Sequence, residues 1–176
     1  MGQEKIPYDE GRGYSLWLMP DPLSPNKLGH IIKKLSQTYA SPAFKPHMTL
    51  LGSIQMDKNE VIRRTSILSG KMRKMRVHAL RASEGPSYFK SIFIEMEPAK
   101  ELSRYYSVAC EIFSIRAGKF NPHISLLYGR LAAREREKAI NLIDYRTRLI
   151  SFNRLCAFNT SGKVESWKKI ASFALK

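Results

Sequence analysis

Short apolar stretches alternate with amphipathic ones along this chain, and the alternation predicts most of its elements. Tyr14-Ser15-Leu16-Trp17-Leu18-Met19 reads as a strand stopped by Pro20 and Pro22. Leu28, Ile31, Ile32 and Leu35 then recur at helical spacing, with Ser24 as cap and Pro25 at the first position of a helix running to about Tyr39. His47 to Ile54 is a predicted strand. Asp57, with Glu60 as its reciprocal capping partner, opens a helix to Gly70. Met75 to Ala82 and Tyr88 to Met96 read as strands on either side of a turn at Glu84-Gly85-Pro86. A helix from about Ala99 to Ile115 follows Pro98, then a strand over Phe120 to Tyr128 and a charged helix from Ala132 to about Ile143. Two last strands, Leu149 to Phe158 and Val164 to Ala174, flank Ser161-Gly162. The order βαβαββαβαββ is a mixed α/β (α+β) pattern. It divides into two halves of similar type, expected to pack as lobes around a shared cleft. Residues 1–13 are polar and read as a flexible tail, leaving 14–176 as one bilobal domain.

The halves share a segment. Phe44-Lys45-Pro46-His47-Met48-Thr49-Leu50-Leu51 and Phe120-Asn121-Pro122-His123-Ile124-Ser125-Leu126-Leu127 both read Phe-x-Pro-His-apolar-hydroxyl-Leu-Leu, with the histidines 123 − 47 = 76 positions apart. Alternate residues of a strand share a face. His47 therefore projects with Thr49, and His123 with Ser125, while Met48, Leu50, Ile124 and Leu126 face the packing side. By the same count Leu51 and Leu127 are expected under the histidines as an apolar floor. A proline ahead of each histidine suits the first residue of a strand, at a mouth a ligand can reach.

Imidazole changes charge near neutrality, at a reference pKa of about 6.5. Two imidazoles on opposite sides of a phosphorus can activate water and protonate a departing oxygen, and hydroxyl donors can stabilise the non-bridging oxygens. That is the requirement for opening a cyclic phosphate, and it needs no metal or cofactor. Rival patterns are missing: Thr49 and Ser125 stand where His-x-Lys or His-x-His chemistry would need lysine or histidine, and no His-Glu-x-x-His occurs. His30 reads as a helix-surface residue and His78 as a strand residue, both structural.

The 176 residues carry a formal net charge of +15, with pI ≈ 10.0. Such a surface attracts phosphate-bearing ligands without identifying them. No apolar run approaches the length of about 20 residues that spans a membrane. With the two cysteines, Cys110 and Cys156, read as buried and reduced, the expectation is a cytoplasmic or nuclear monomer without membrane association.

The paired motif resembles that of the two-histidine phosphoesterase superfamily. Tyr14 to Asp21, Phe44 to Leu50, Pro122 to Tyr128 and Glu165 to Ala171 are most similar to the plant and fungal cyclic phosphodiesterases. The resemblance implies two pseudo-symmetric lobes with antiparallel sheets around a water-filled cleft. It implies hydrolysis of ADP-ribose 1″,2″-cyclic phosphate, a step downstream of tRNA splicing, and of nucleoside 2′,3′-cyclic phosphates to 2′-phosphates. It implies His47 as acid and His123 as base, with the reverse left open by the symmetry, and Tyr128, Trp17 and Tyr88 or Phe89 as substrate contacts. Tyr128 lies five residues past His123, so a regular strand would turn it away; it reaches the site only if the strand ends or bulges near Gly129. The high charge keeps two alternatives open: a phosphoesterase acting on RNA ends or 2′,5′-linked oligonucleotides, and a non-catalytic RNA-binding module.

Overall fold

The computed structural model describes residues 9–23, 27–143, 145 and 149–176. Seven strands and four α-helices follow in the expected order: β1 (Tyr14–Pro20), α1 (Leu28–Thr38), β2 (Met48–Ile54), α2 (Lys58–Gly70), β3 (Met75–Ser87), β4 (Lys90–Met96), α3 (Lys100–Phe113), β5 (His123–Leu127), α4 (Ala133–Asn141), β6 (Leu149–Asn159) and β7 (Lys168–Ala174). A short 3₁₀ turn, Val164–Ser166, precedes β7 where a continuous strand was expected. The expected cap Ser24 and Pro25 lie outside the described residues. Asp57 caps α2 through the amides of Asn59 and Glu60. The Glu60 carboxylate does not complete a reciprocal cap; it is taken by Arg63 and Arg64 at 2.7 and 2.6 Å.

All pairings are antiparallel, in the order β1-β2-β5-β4-β3-β6-β7, and β1 also pairs with β6. The first six strands thus close on themselves, and β7 lies along β6. The repeat seen in the motif extends to the pairing. Leu18 meets Met48 as Ile94 meets Ile124, and Trp17 meets Thr49 as Phe93 meets Ser125, each pair displaced by 76 from its counterpart (93 − 17, 125 − 49). Where the halves meet, equivalent residues face each other: Met48 pairs with Ile124 across β2 and β5. A local two-fold axis therefore passes between the two histidine strands.

The helices supply one side of the sheet with its core. Leu28, Ile31, Ile32 and Leu35 of α1 and Leu102, Tyr105, Ala109 and Phe113 of α3 are buried against Met48, Leu50, Ile124 and Leu126. The opposite side carries a second, smaller cluster built on Trp17, Cys156 and Phe158. The segment expected as a tail is anchored over its last residues. Gly11 exchanges two backbone hydrogen bonds with Gly162, and Gly13 accepts one from Thr160.

Candidate active site

His47 immediately precedes β2 and His123 opens β5, so both stand at strand mouths. Each Pro-His pair has the same local geometry. The His47 Nδ1 lies 2.6 Å from the carbonyl of Lys45, and the His123 Nδ1 lies 2.8 Å from the carbonyl of Asn121. A carbonyl can only accept, so each Nδ1 carries the proton and each Nε2 presents a lone pair. The residue before a proline is held extended, which keeps those carbonyls in place. One step from the Met48–Ile124 pair, the antiparallel register sets His47 beside Ser125 and Thr49 beside His123. All four line one pocket of about 460 Å³, within the range of small-molecule sites.

The hydroxyls are not equivalent. Ser125 Oγ donates to the Phe89 carbonyl at 2.9 Å. Thr49 makes no hydrogen bond among the described residues and keeps its donor for a ligand.

The Tyr128 side chain does enter the site, because both conditions for it are met. β5 ends at Leu127, and its register with β4 slips: Ile92 meets Leu127 while Phe93 meets Ser125, leaving Leu126 as the extra residue. The bulge sends Leu126 and Leu127 both into the core and Tyr128 into the pocket. The same slip in β2, with Leu50 extra, buries Leu51. The expected floor of Leu51 and Leu127 is therefore absent. In its place Trp17 stacks on His47 (3.6 Å between ring centroids, 12° between planes) and is backed by Phe158 at 3.8 Å.

Tyr88 and Phe89 are not strand residues; they form the two-residue turn between β3 and β4, where Ser87 pairs with Lys90. Freed from the ladder, Phe89 lines the pocket with Tyr128 and Trp167, while Tyr88 sits behind it, edge-on at 5.0 Å. The strand expectation failed because both residues are apolar and lack the usual turn chemistry.

Burial governs the charges. It holds His47 down to about 4, against the Lys45 carbonyl that favours the imidazolium, and with a smaller push from His123. His123 is also lowered, chiefly by burial and further by the Lys90 ammonium, with the Asn121 carbonyl opposing. Lys90 is itself lowered by burial and lies 4.3 Å from the centre of the Phe93 ring. Burial raises the Tyr128 phenol, with Ser125 beside it pulling the other way. Its hydroxyl is a donor at neutral pH and points at His47 Nε2, 3.4 Å away.

The sequence reading missed Trp167, Lys90, Gly52 and the Ser15–Thr160 pair as pocket residues. The 76-residue repeat carried an unused signal: it pairs Trp17 with Phe93, whose ring is edge-on to His123 at 5.5 Å. A larger concavity, about 730 Å³, lies apart from both histidines and is lined by Lys71, Arg73, Lys100, Arg104 and Lys176 with one acid, Glu101. Among the described residues no group of three His, Cys, Asp or Glu is placed to hold a metal ion, and no helix is long and apolar enough to cross a membrane.

Two histidine strands related by a local two-fold axis, in an antiparallel α+β sheet, give the fold that the two-histidine phosphoesterase resemblance implies. The sequence profile of the cyclic phosphodiesterase-like protein family matches residues 12–175, so the chain belongs to that family and is a phosphodiesterase. It is 27% identical over 168 residues to a cyclic phosphodiesterase of Arabidopsis thaliana, covering 90% of this chain and 92% of the relative. E. coli LigT complexed with 3′-AMP shares the fold with TM-score 0.60 at 14% identity, over 95% of this chain and 99% of LigT. Kluyveromyces marxianus Usb1 does so with TM-score 0.51 at 11% identity, over 94% and 98%.

Proposed function

We propose that the chain hydrolyses cyclic phosphates without a metal ion: nucleoside 2′,3′-cyclic phosphates and ADP-ribose 1″,2″-cyclic phosphate, leaving 2′- and 1″-phosphates respectively. The observation that carries this reading is that both imidazoles have Nδ1 tied to a backbone carbonyl and line one pocket, with the Tyr128 hydroxyl at the Nε2 of His47. Water adds to phosphorus, the ring P–O bond breaks, one imidazole takes the water proton and the other protonates the departing oxygen. Each proton-transfer role is worth roughly 10²–10⁴-fold. His123 acts as base, since the Lys90 ammonium beside it favours the neutral ring. His47 acts as acid: the Trp17 face on which it stacks and the bound phosphate anion both favour its imidazolium. Thr49 donates to a non-bridging oxygen. The capture of 3′-AMP and ATP by E. coli LigT supports a nucleotide ligand.

The test is a product assay on a panel of cyclic phosphates with EDTA present. Turnover should persist, fall by at least about 10²-fold in His47→Ala and in His123→Ala, and show a bell-shaped kcat/KM. Because both imidazoles are lowered, the maximum should fall between about 4 and the ordinary histidine pKa of about 6.5. A rate that survives loss of either histidine, or that chelation abolishes, refutes the reading. The net charge of +15 favours a second substrate, an RNA 2′,3′-cyclic end; competition between that end and ADP-ribose cyclic phosphate decides between the two.

A further inference from the structure

The two halves of the pocket repeat each other as far as the bulge and diverge just beyond it. In each, the extra leucine (Leu50 or Leu126) buries two neighbouring leucines and turns the next residue toward the ligand. In each, the following residue has positive φ, 55° at Ser53 and 156° at Gly129. The 55° at Ser53 lies in the left-handed region, which costs a serine about 1 kcal/mol or more, whereas 156° at Gly129 is nearly extended, so the two backbones part at this position. The residue that the bulge delivers is Tyr128 in one half and Gly52 in the other (128 − 52 = 76).

Tyr128 fills its half, stacked on Phe44 at 3.8 Å with its hydroxyl at His47. Gly52 leaves its half open. A Cβ there would meet only Ser15 Oγ and Thr49 Cγ2, both at 3.7 Å, which is ordinary contact. The pocket that Gly52 lines also carries Ser15, Ser53, Thr160, Arg12 and Glu10. Its hydroxyls have a defined polarity. Thr160 donates to the Gly13 carbonyl at 3.2 Å, so in the 3.0 Å pair with Ser15 it is the acceptor and Ser15 the donor. Ser15 and Thr160 have thus spent both their protons and offer a ligand lone pairs, which suit the hydroxyl donors of a sugar.

We propose that Gly52 keeps open a hydroxyl-lined subsite for the sugar and its substituents, and that it sets the size of cyclic phosphate the enzyme accepts. This rests on the cyclic-phosphate reading above. A phosphate held between the imidazoles can carry the rest of its molecule past Gly52 but not past Tyr128. Bulk at Gly52 makes the halves alike and leaves room only for small esters.

The test compares adenosine 2′,3′-cyclic phosphate with glycerol 1,2-cyclic phosphate in wild type, Gly52→Val and Gly52→Tyr. The quantity read is the ratio of the two kcat/KM values within each protein, from which any loss of folded enzyme cancels. The ratio should fall at least tenfold in Gly52→Tyr, mainly through KM for the adenosine ester, and by less in Gly52→Val. A ratio within twofold of wild type in both variants overturns the proposal. Wild type that turns over neither ester overturns this inference, and if ADP-ribose 1″,2″-cyclic phosphate is inert as well the cyclic-phosphate reading falls with it.

Discussion

An imidazole tied through Nδ1 to the carbonyl two residues back has one nitrogen left for chemistry, and burial decides which charge that nitrogen carries. For His47 the burial has a measurable consequence for stability. Its pKa is about 4 in the folded protein against about 6.5 unfolded, so between those values the unfolded chain binds more protons. The stability is whole above about pH 6.5 and is lost as pH falls towards 4, by roughly 3 kcal/mol over the window. Denaturant melts from pH 7 to pH 4 should show that slope in wild type, and a shallower one in His47→Gln. The two hydroxyls differ in the same concrete way. Ser125 has given its proton to the Phe89 carbonyl, while Thr49 has not committed its own. Thr49→Val should lower kcat/KM on a cyclic phosphate by roughly 10- to 100-fold, the worth of one charge-assisted hydrogen bond, and Ser125→Ala by less. Equal losses would show that Ser125 changes partner when substrate binds.

Those four polar residues were legible because their types and spacing survive translation into a strand. What the letters concealed was the strand's irregularity. Leu50-Leu51 and Leu126-Leu127 look like ordinary apolar pairs, and nothing in two leucines announces a bulge. Yet each bulge reverses the face of everything after it, which removed the expected leucine floor and brought Tyr128 inward. Tyr88-Phe89 concealed a turn for a related reason: the register with β3 sets the hairpin, and propensity argues against it. The start of α2 was easier to read, since the Asp57 cap acts within three residues, whereas α1 begins at Leu28 with Lys27 ahead of it. Asp57 serves the amides of Asn59 and Glu60 far from the pocket, so Asp57→Ala should cost about 1 kcal/mol of unfolding free energy. Its kcat/KM should match wild type. A loss of activity at full stability would tie α2 to the site in a way that none of its contacts accounts for.

The charge of the protein is spread over far more surface than the pocket occupies. Five cations line the larger concavity alone, and none of them makes an ion pair among the described residues. A field of that sign speeds the capture of anions and fades as the Debye length shortens. Raising salt from about 20 mM to about 500 mM should therefore lower kcat/KM several-fold while kcat changes little, and the drop should be steeper for an oligonucleotide end than for a mononucleotide. A flat response would confine the useful charge to Lys90 and Arg12 at the pocket. The local two-fold axis has a different consequence. Because β3 pairs with β4 and β6 pairs with β1, each half lends its third strand to the other. Two separate copies of a 76-residue unit could trade those strands and build the same ring as a homodimer. Such an ancestor would be bound to place identical side chains at both of its mouths. Joining the copies end to end lifts that obligation, and only then can one mouth keep a tyrosine while its twin dwindles to a glycine.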